Sequence, residues 1–145
     1  MTDRIGKSPV HGTAVAVNGQ GFLILGPSGS GKSGLALQMI ALGASLVADD
    51  QVILESRDAQ IWMSSPAPLH GLIEARGFGL LKQPALSQAR LSRVVDLSAE
   101  PETRMPHPSS VHVMGSRIDL IKGRNLPNLA SILLLLGRDG PTGTP

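Results

Sequence analysis

Two short apolar runs, Thr13–Val17 and Phe22–Leu25, flank the polar link Asn18-Gly19-Gln20-Gly21. An Asn-Gly pair takes up left-handed turn conformations at little cost, so apolar runs on either side of it predict a hairpin. The period then changes. After a glycine-rich turn, Gly26–Gly31, apolar residues recur at Leu35, Met39 and Leu42, which places them on one face of a helix over Lys32–Leu42. Gly43 follows as its stop. Ser45–Ala48 predicts a short buried strand that ends in Asp49-Asp50. Val52–Glu55 and Ile61–Ser64 predict a second hairpin around Arg57–Gln60, and Leu91–Leu97 alternates well enough for a further strand. Val111–Met114 and Arg117–Ile121 predict a last strand pair. Arg76–Leu81 is interrupted by glycines and shows no clear period. Ser98–Ser110, with three prolines and several charges, predicts a loop. Asn125 and Pro127 predict the capped start of a helix over Leu126–Leu136. Residues 1–8 and the glycine- and proline-rich stretch 137–145 are expected to be flexible ends.

Strand, glycine loop, helix and strand in that order make one βαβ unit. With the hairpins around it, the pattern predicts an α/β fold: a phosphate-loop core in a mixed β-sheet, as one domain over 1–145. The length of 145 residues suits a single hydrophobic core. An apolar fraction of 41% with 17% charged residues excludes a disordered tail or a coiled coil. The longest uninterrupted apolar run, Ile132–Leu136, is far short of the roughly 18 residues that span a bilayer, so no membrane partner is expected. The absence of cysteine excludes a disulfide framework, a thiolate zinc cluster and a cysteine nucleophile. Met1–Lys7 is polar and unlike a signal peptide, so a cytoplasmic location is expected. The isoelectric point of about 9.5 overstates the basicity, because the formal charge is only +2 and no tyrosine or cysteine titrates between histidine and lysine. With 2% aromatic residues and no basic stripe, nucleic acid is not an expected partner.

Gly26-Pro27-Ser28-Gly29-Ser30-Gly31-Lys32-Ser33 matches the pattern G-x-x-x-x-G-K-[ST] in full, after an apolar strand and before an apolar-faced helix. The glycines let backbone N–H groups turn inward around phosphates, and the helix start adds its positive dipole end. Lys32 can reach the β- and γ-phosphates, and the Ser33 hydroxyl can bind Mg²⁺. Asp49 and Asp50 end the next strand, where ligands of open α/β sheets collect. Adjacent strand residues point to opposite faces, so the two carboxylates should have different duties. One would face phosphates and metal and the other steady the turn, or one would accept a proton from an attacking hydroxyl. Glu74 and Arg76 stand two apart between apolar residues. On an extended segment they would share a face, which suits a metal-binding carboxylate beside a phosphate-binding guanidinium, or a surface ion pair. His11, in Val10-His11-Gly12, reads by itself as a structural or exposed histidine. Lys122-Gly123-Arg124-Asn125 is a basic glycine turn that suits a phosphate or is simply a loop.

Taken together, Val10-His11-Gly12, Gly26–Ser33, Val47-Ala48-Asp49-Asp50, Glu74-Ala75-Arg76-Gly77-Phe78-Gly79 and Gly123-Arg124-Asn125 give the chain a resemblance to the catalytic domain of HPr kinase/phosphorylase. The resemblance runs from about Val10 to Asn125, in a short form without the amino-terminal domain of longer members. It implies a kinase that uses ATP and Mg²⁺ to phosphorylate a serine of the phosphocarrier HPr. It also implies removal of that phosphate by inorganic phosphate, with release of pyrophosphate. Lys32 and the Gly26–Ser33 backbone would hold ATP, and Ser33 and Glu74 would lie near Mg²⁺. His11 and Lys32 match family active-site positions. Asp50 would take the serine proton, or share that role with Asp49. Arg76 lies in the stretch that resembles the family signature, Arg104 matches a catalytic arginine, and Arg124 belongs to the loop associated with dephosphorylation. Cores of this family assemble as hexamers. The competing readings are a nucleotide-binding regulatory module without catalysis and a small-molecule kinase with the same loop.

Overall fold

The computed structural model describes residues 4–139. At its centre β3 (Thr13–Val17) and β4 (Gln20–Leu25) pair antiparallel across Asn18 and Gly19, both at positive φ (51° and 75°). The expected four-residue link is thus a two-residue turn, because Gln20 and Gly21 pair with Val17 and Ala16. From β4 the glycine loop leads into α1 (Lys32–Ala41), which ends before Gly43 at φ 117°. The chain returns as β5 (Ser45–Ala48), antiparallel to β3 on its free edge. β5 therefore runs in the same direction as β4 with β3 between them, so the βαβ unit skips one strand.

On the other flank of β4 lies β10 (Ala89–Asp96), parallel to it, and then β12 (Ser116–Lys122), parallel to β10. β11 (Ser109–Val113) pairs antiparallel with β12, and β1 (Arg4–Ile5) adds a parallel edge to β11. The consequence for function is directional. The carboxyl ends of β4, β5, β10 and β12 all emerge at one edge of the sheet, where the glycine loop sits.

The second hairpin, β6 (Gln51–Arg57) with β7 (Gln60–Ser64), turns at Asp58 and Ala59, both at positive φ. Its β7 strand pairs with the start of β10, and β6 pairs with β2 (Val10–His11). β10 is thereby shared between two parts of the sheet, which curls. At the join, a Cβ on Gly21 would stand 2.5 Å from the Arg90 carbonyl oxygen, so only glycine lets the backbones approach. The stretch without a clear period forms a separate small hairpin, β8 (Leu72–Ala75) and β9 (Gly79–Lys82), with Gly77 at φ 85° in its turn.

Alternation along β4 builds two cores. Leu23 and Leu25 face the second hairpin with Val52, Leu54, Ile61 and Met63. Phe22 and Ile24 face the helices with Leu35, Met39 and Leu133. Phe22, Leu23 and Ile24 are fully buried, each stabilising the fold by about 1.5–3 kcal/mol. The glycine loop thus hangs from a strand clamped on both faces.

Three further expectations are corrected. The last helix, α2, spans Leu129–Asp139 and not Leu126–Leu136. Asn125 and Asn128 stand at positive φ (59° and 61°), which keeps the chain around Pro127 out of the helix. The Asn128 carbonyl accepts the Ile132 N–H at 3.0 Å, and the Asn125 side chain donates to Glu100 instead of capping. Residues 137–139, expected to be flexible, are helical. Gly137 there lets α2 lie on β3, since a Cβ would come within 2.6 Å of Val17 Cβ. At the other end Arg4–Ile5 is a strand, with the Met114 N–H donating to the Ile5 carbonyl at 2.7 Å. Ser8, in the same expected flexible end, accepts the Leu54 N–H on its Oγ at 2.8 Å, while 1–3 and 140–145 lie outside the described residues. No helix among the described residues is long and apolar enough to cross a membrane.

Candidate active site

Three glycines of the loop take positive φ: Gly26 (157°), Gly29 (84°) and Gly31 (95°). At Gly26 space also demands glycine, because a Cβ would meet Ser30 Oγ at 2.5 Å. Nothing lies within 4 Å of a Cβ built on Gly29 or Gly31, so the inner side of the loop is an open cradle. Ser30 N–H donates to the Pro27 carbonyl at 3.0 Å and closes the turn, and Leu35 N–H to the Gly31 carbonyl at 2.9 Å begins the helix. The Lys32 side chain folds back across the loop, its Nζ donating to the carbonyls of Gly26 at 2.9 Å and Pro27 at 3.1 Å. Its stem is packed in α1's buried face while the ammonium group stays at the mouth of the loop.

The two aspartates, just past the end of β5, part company because the chain bends there and leaves the strand conformation. Asp49 points inward and is buried. Its Oδ1 accepts the hydroxyl protons of Thr13 and Ser33, each at 2.8 Å, and its Oδ2 accepts the Glu74 N–H at 2.9 Å. One carboxylate so ties together β3, α1, β5 and β8. Asp50 is turned outward by a positive φ of 75°, its side chain 63% exposed. Its Oδ1 lies 3.4 Å from His11 Nε2, and its carbonyl accepts the Gly12 N–H at 3.2 Å. The histidine that reads as structural in isolation is brought beside Asp50 by the pairing of β2 with β6.

A hollow of about 660 Å³ gathers these groups: His11, Lys32, Ser33, Asp49, Asp50, Glu74 and Arg76 all line it. A second hollow, of about 460 Å³, lies across the loop and is lined by Pro27, Ser30, Leu97, Ser98, Arg124 and Asn125. Ser28 and Gly29 wall both. The expected grouping of catalytic residues is therefore divided. Arg124 stands on the far side of the loop from Asp50, because Gly123 follows β12, next to β10 and away from β5. Arg104 is exposed in the loop after β10 and lines neither hollow. Lys122 is drawn away by an ion pair with Glu102.

Among the described residues no group of three or more His, Asp or Glu side chains gathers to hold a metal. The Ser33 hydroxyl and Glu74 carboxylate on one hollow fit Mg²⁺, which keeps much of its shell as water and phosphate oxygen and needs one or two protein groups. Two buried polar residues of this region escape a reading of the sequence alone. Thr13 opens an apolar run and passes for a strand residue. Asp96 ends β10 opposite Leu25 and accepts from Ser98 N–H at 2.9 Å and Ser98 Oγ at 2.6 Å. Its signal was an apolar strand closing on an aspartate.

The profile of the HPr Serine kinase C-terminal domain matches residues 5–90, a stretch that holds every group lining the first hollow. The chain belongs to this family. Among curated relatives, the HPr kinase/phosphorylase of Clostridium tetani is 43% identical over 91 residues, 63% of this chain and 29% of that protein. HPr kinase/phosphorylase 1 of Oceanobacillus iheyensis is 33% identical over 135 residues, covering 81% of this chain and 44% of the relative. The chain thus spans less than half the length of these relatives. The solved structure described as the Hpr(Ser) kinase/phosphatase from Coxiella burnetii superimposes with a TM-score of 0.78 at 24% identity, covering 92% of this chain and 95% of that one. The HPr serine kinase domain here accordingly has that structure's mixed α/β fold, a curled sheet with few helices. Arg104 and Arg124 lie beyond the matched 5–90.

Proposed function

We propose that this domain is an ATP- and Mg²⁺-dependent protein kinase that phosphorylates a serine of HPr. We also propose that it runs the reverse transfer from phosphoserine-HPr to inorganic phosphate, releasing pyrophosphate. The observation that carries this reading is the single hollow in which Lys32 and Ser33 of the glycine loop face the His11–Asp50 pair and Arg76. The loop N–H groups and the helix start take the triphosphate, and Lys32 exchanges its two carbonyl partners for β- and γ-oxygens. A Mg²⁺ held by Ser33 and Glu74 supplies neutralisation of the phosphate charge.

Asp50 is the proton acceptor. It is exposed at the mouth, where a serine on another protein can reach it, whereas Asp49 has both oxygens engaged. As the serine oxygen bonds to the γ-phosphorus, the bond to the β-phosphate oxygen breaks, ADP leaves and the serine proton passes to Asp50. His11, at 3.4 Å, steadies that carboxylate. In reverse, an oxygen of inorganic phosphate bonds to the phosphoserine phosphorus, and the departing serine oxygen recovers its proton from Asp50. Arg76 at the rim offsets the charge of the two anions that must meet. The second hollow receives the nucleoside half of ATP, with Arg124 against it.

The resemblance further implies a hexamer in the cytoplasm, and Phe78 (79% exposed) and Leu80 (67%) beside the site offer apolar surface for a protein partner. The test is transfer of labelled γ-phosphate from ATP to HPr in the presence of Mg²⁺, with a serine-to-alanine HPr as control. Labelling of the wild-type substrate alone supports the reading, and labelling of neither overturns it.

A further inference from the structure

We propose that Thr13 is a positioning residue which, through Asp49, sets the Ser33 hydroxyl for the metal; this rests on the kinase reading above. Thr13 is 1% exposed and Asp49 6%. A buried carboxylate must have its lone pairs engaged. Here Oδ1 takes two hydroxyl protons, from Thr13 and Ser33, and Oδ2 takes the Glu74 N–H. Ser33 has one hydroxyl proton. While that proton is committed to Asp49, the hydroxyl turns lone pairs and not a proton to the hollow, the state a cation requires. With the Glu74 N–H on Oδ2, loss of Thr13 would leave Oδ1 to the Ser33 hydroxyl, whose side chain can change rotamer. Thr13, on the fully buried strand β3, gives Oδ1 a second donor, and its branched side chain has few rotamers to lose. The same carboxylate holds the Glu74 backbone, so both groups assigned to Mg²⁺ hang on one anchor.

Valine has the shape of threonine without the donor, and serine keeps the donor. The experiment measures calorimetric affinity for a non-hydrolysable ATP analogue, with Mg²⁺ and in chelator, for wild type, Thr13→Val and Thr13→Ser. Removal of such an outer partner costs about 10–100-fold in metal affinity. The expected result is an affinity loss of about tenfold for Thr13→Val with Mg²⁺ and none in chelator, and Thr13→Ser within about twofold of wild type in both. A second readout is amide hydrogen exchange without ligand: the Glu74 amide speeds up in Thr13→Val, while that of Val94, in the middle of β10, does not change. Equal Mg²⁺-dependent affinity in Thr13→Val and wild type overturns the proposal. So does failure of Thr13→Ser to restore it, or faster exchange at Val94 as well, which marks a general loss of stability. A wild type that binds no analogue at all overturns the kinase reading itself, whereas an exchange change at Glu74 alone still establishes the anchor.

Discussion

At the scale of single residues, Asp49 and Asp50 show how neighbours with one side-chain chemistry come to different work. Asp49 sits among three donors, and an amide in its place would bring a donor of its own against at least one of them. Asp49→Asn should therefore lower stability by about 1–3 kcal/mol, seen as a lower midpoint in urea denaturation. Asp50→Asn, on an exposed side chain, should leave that midpoint unchanged. It should keep ATP affinity and cut turnover by about 10²–10⁴-fold, because an amide cannot accept the serine proton. If Asp49→Asn proves the variant with normal stability and lost turnover, the two roles are reversed. Lys32→Ala removes an ammonium that, among the described residues, donates to two loop carbonyls. ATP affinity, measured by calorimetry with Mg²⁺, should fall about 10–100-fold, the worth of a charge-assisted hydrogen bond, while the circular dichroism spectrum stays that of wild type.

At the scale of elements, what the sequence made legible was local. The β3–β4 hairpin, the glycine loop and α1 each depend on residues within a turn of one another, so Asn18-Gly19 and Gly26–Ser33 announced them. The small β8–β9 hairpin was hidden, because two glycines interrupt its alternation and its strands are four residues each. The start of α2 was misplaced because Asn125, which stands in a left-handed turn, looks like a capping residue in sequence, whereas the helix begins only after Asn128. Arg124 could not be placed without the strand order. It follows β12, and β12 lies on the β10 side of the loop strand while Asp50 follows β5 on the other. That separation makes a prediction. If the second hollow takes the nucleoside half of ATP as proposed, Arg124→Ala should weaken ATP binding about tenfold, a loss of about 1.4 kcal/mol, and leave the affinity for inorganic tripolyphosphate unchanged. Equal weakening of both ligands in competition binding would make Arg124 a phosphate ligand.

At the scale of the whole molecule, the fold's contribution is to bring separate stretches of chain to one edge. Thr13 and Asp49 are 36 residues apart, and Glu74 is a further 25 from Asp49, yet one carboxylate joins all three. The sheet does this by running β4, β5 and β10 in one direction and curling so that β2 delivers His11 to the same mouth. The candidate site was half legible for that reason: the loop and the aspartate pair were visible as motifs, but the Thr13 contact and the His11–Asp50 pairing exist only through long-range strand pairing. The central claim is that this mouth transfers phosphate to a protein serine. It is tested most directly by incubating the chain with γ-labelled ATP, Mg²⁺ and purified HPr and locating the label by mass spectrometry of the HPr peptides. The account predicts one phosphoserine on HPr, formed by wild type and reduced about 10²–10⁴-fold with Asp50→Asn. Label that stays in ATP, or that appears on HPr at the same rate with Asp50→Asn, would contradict it.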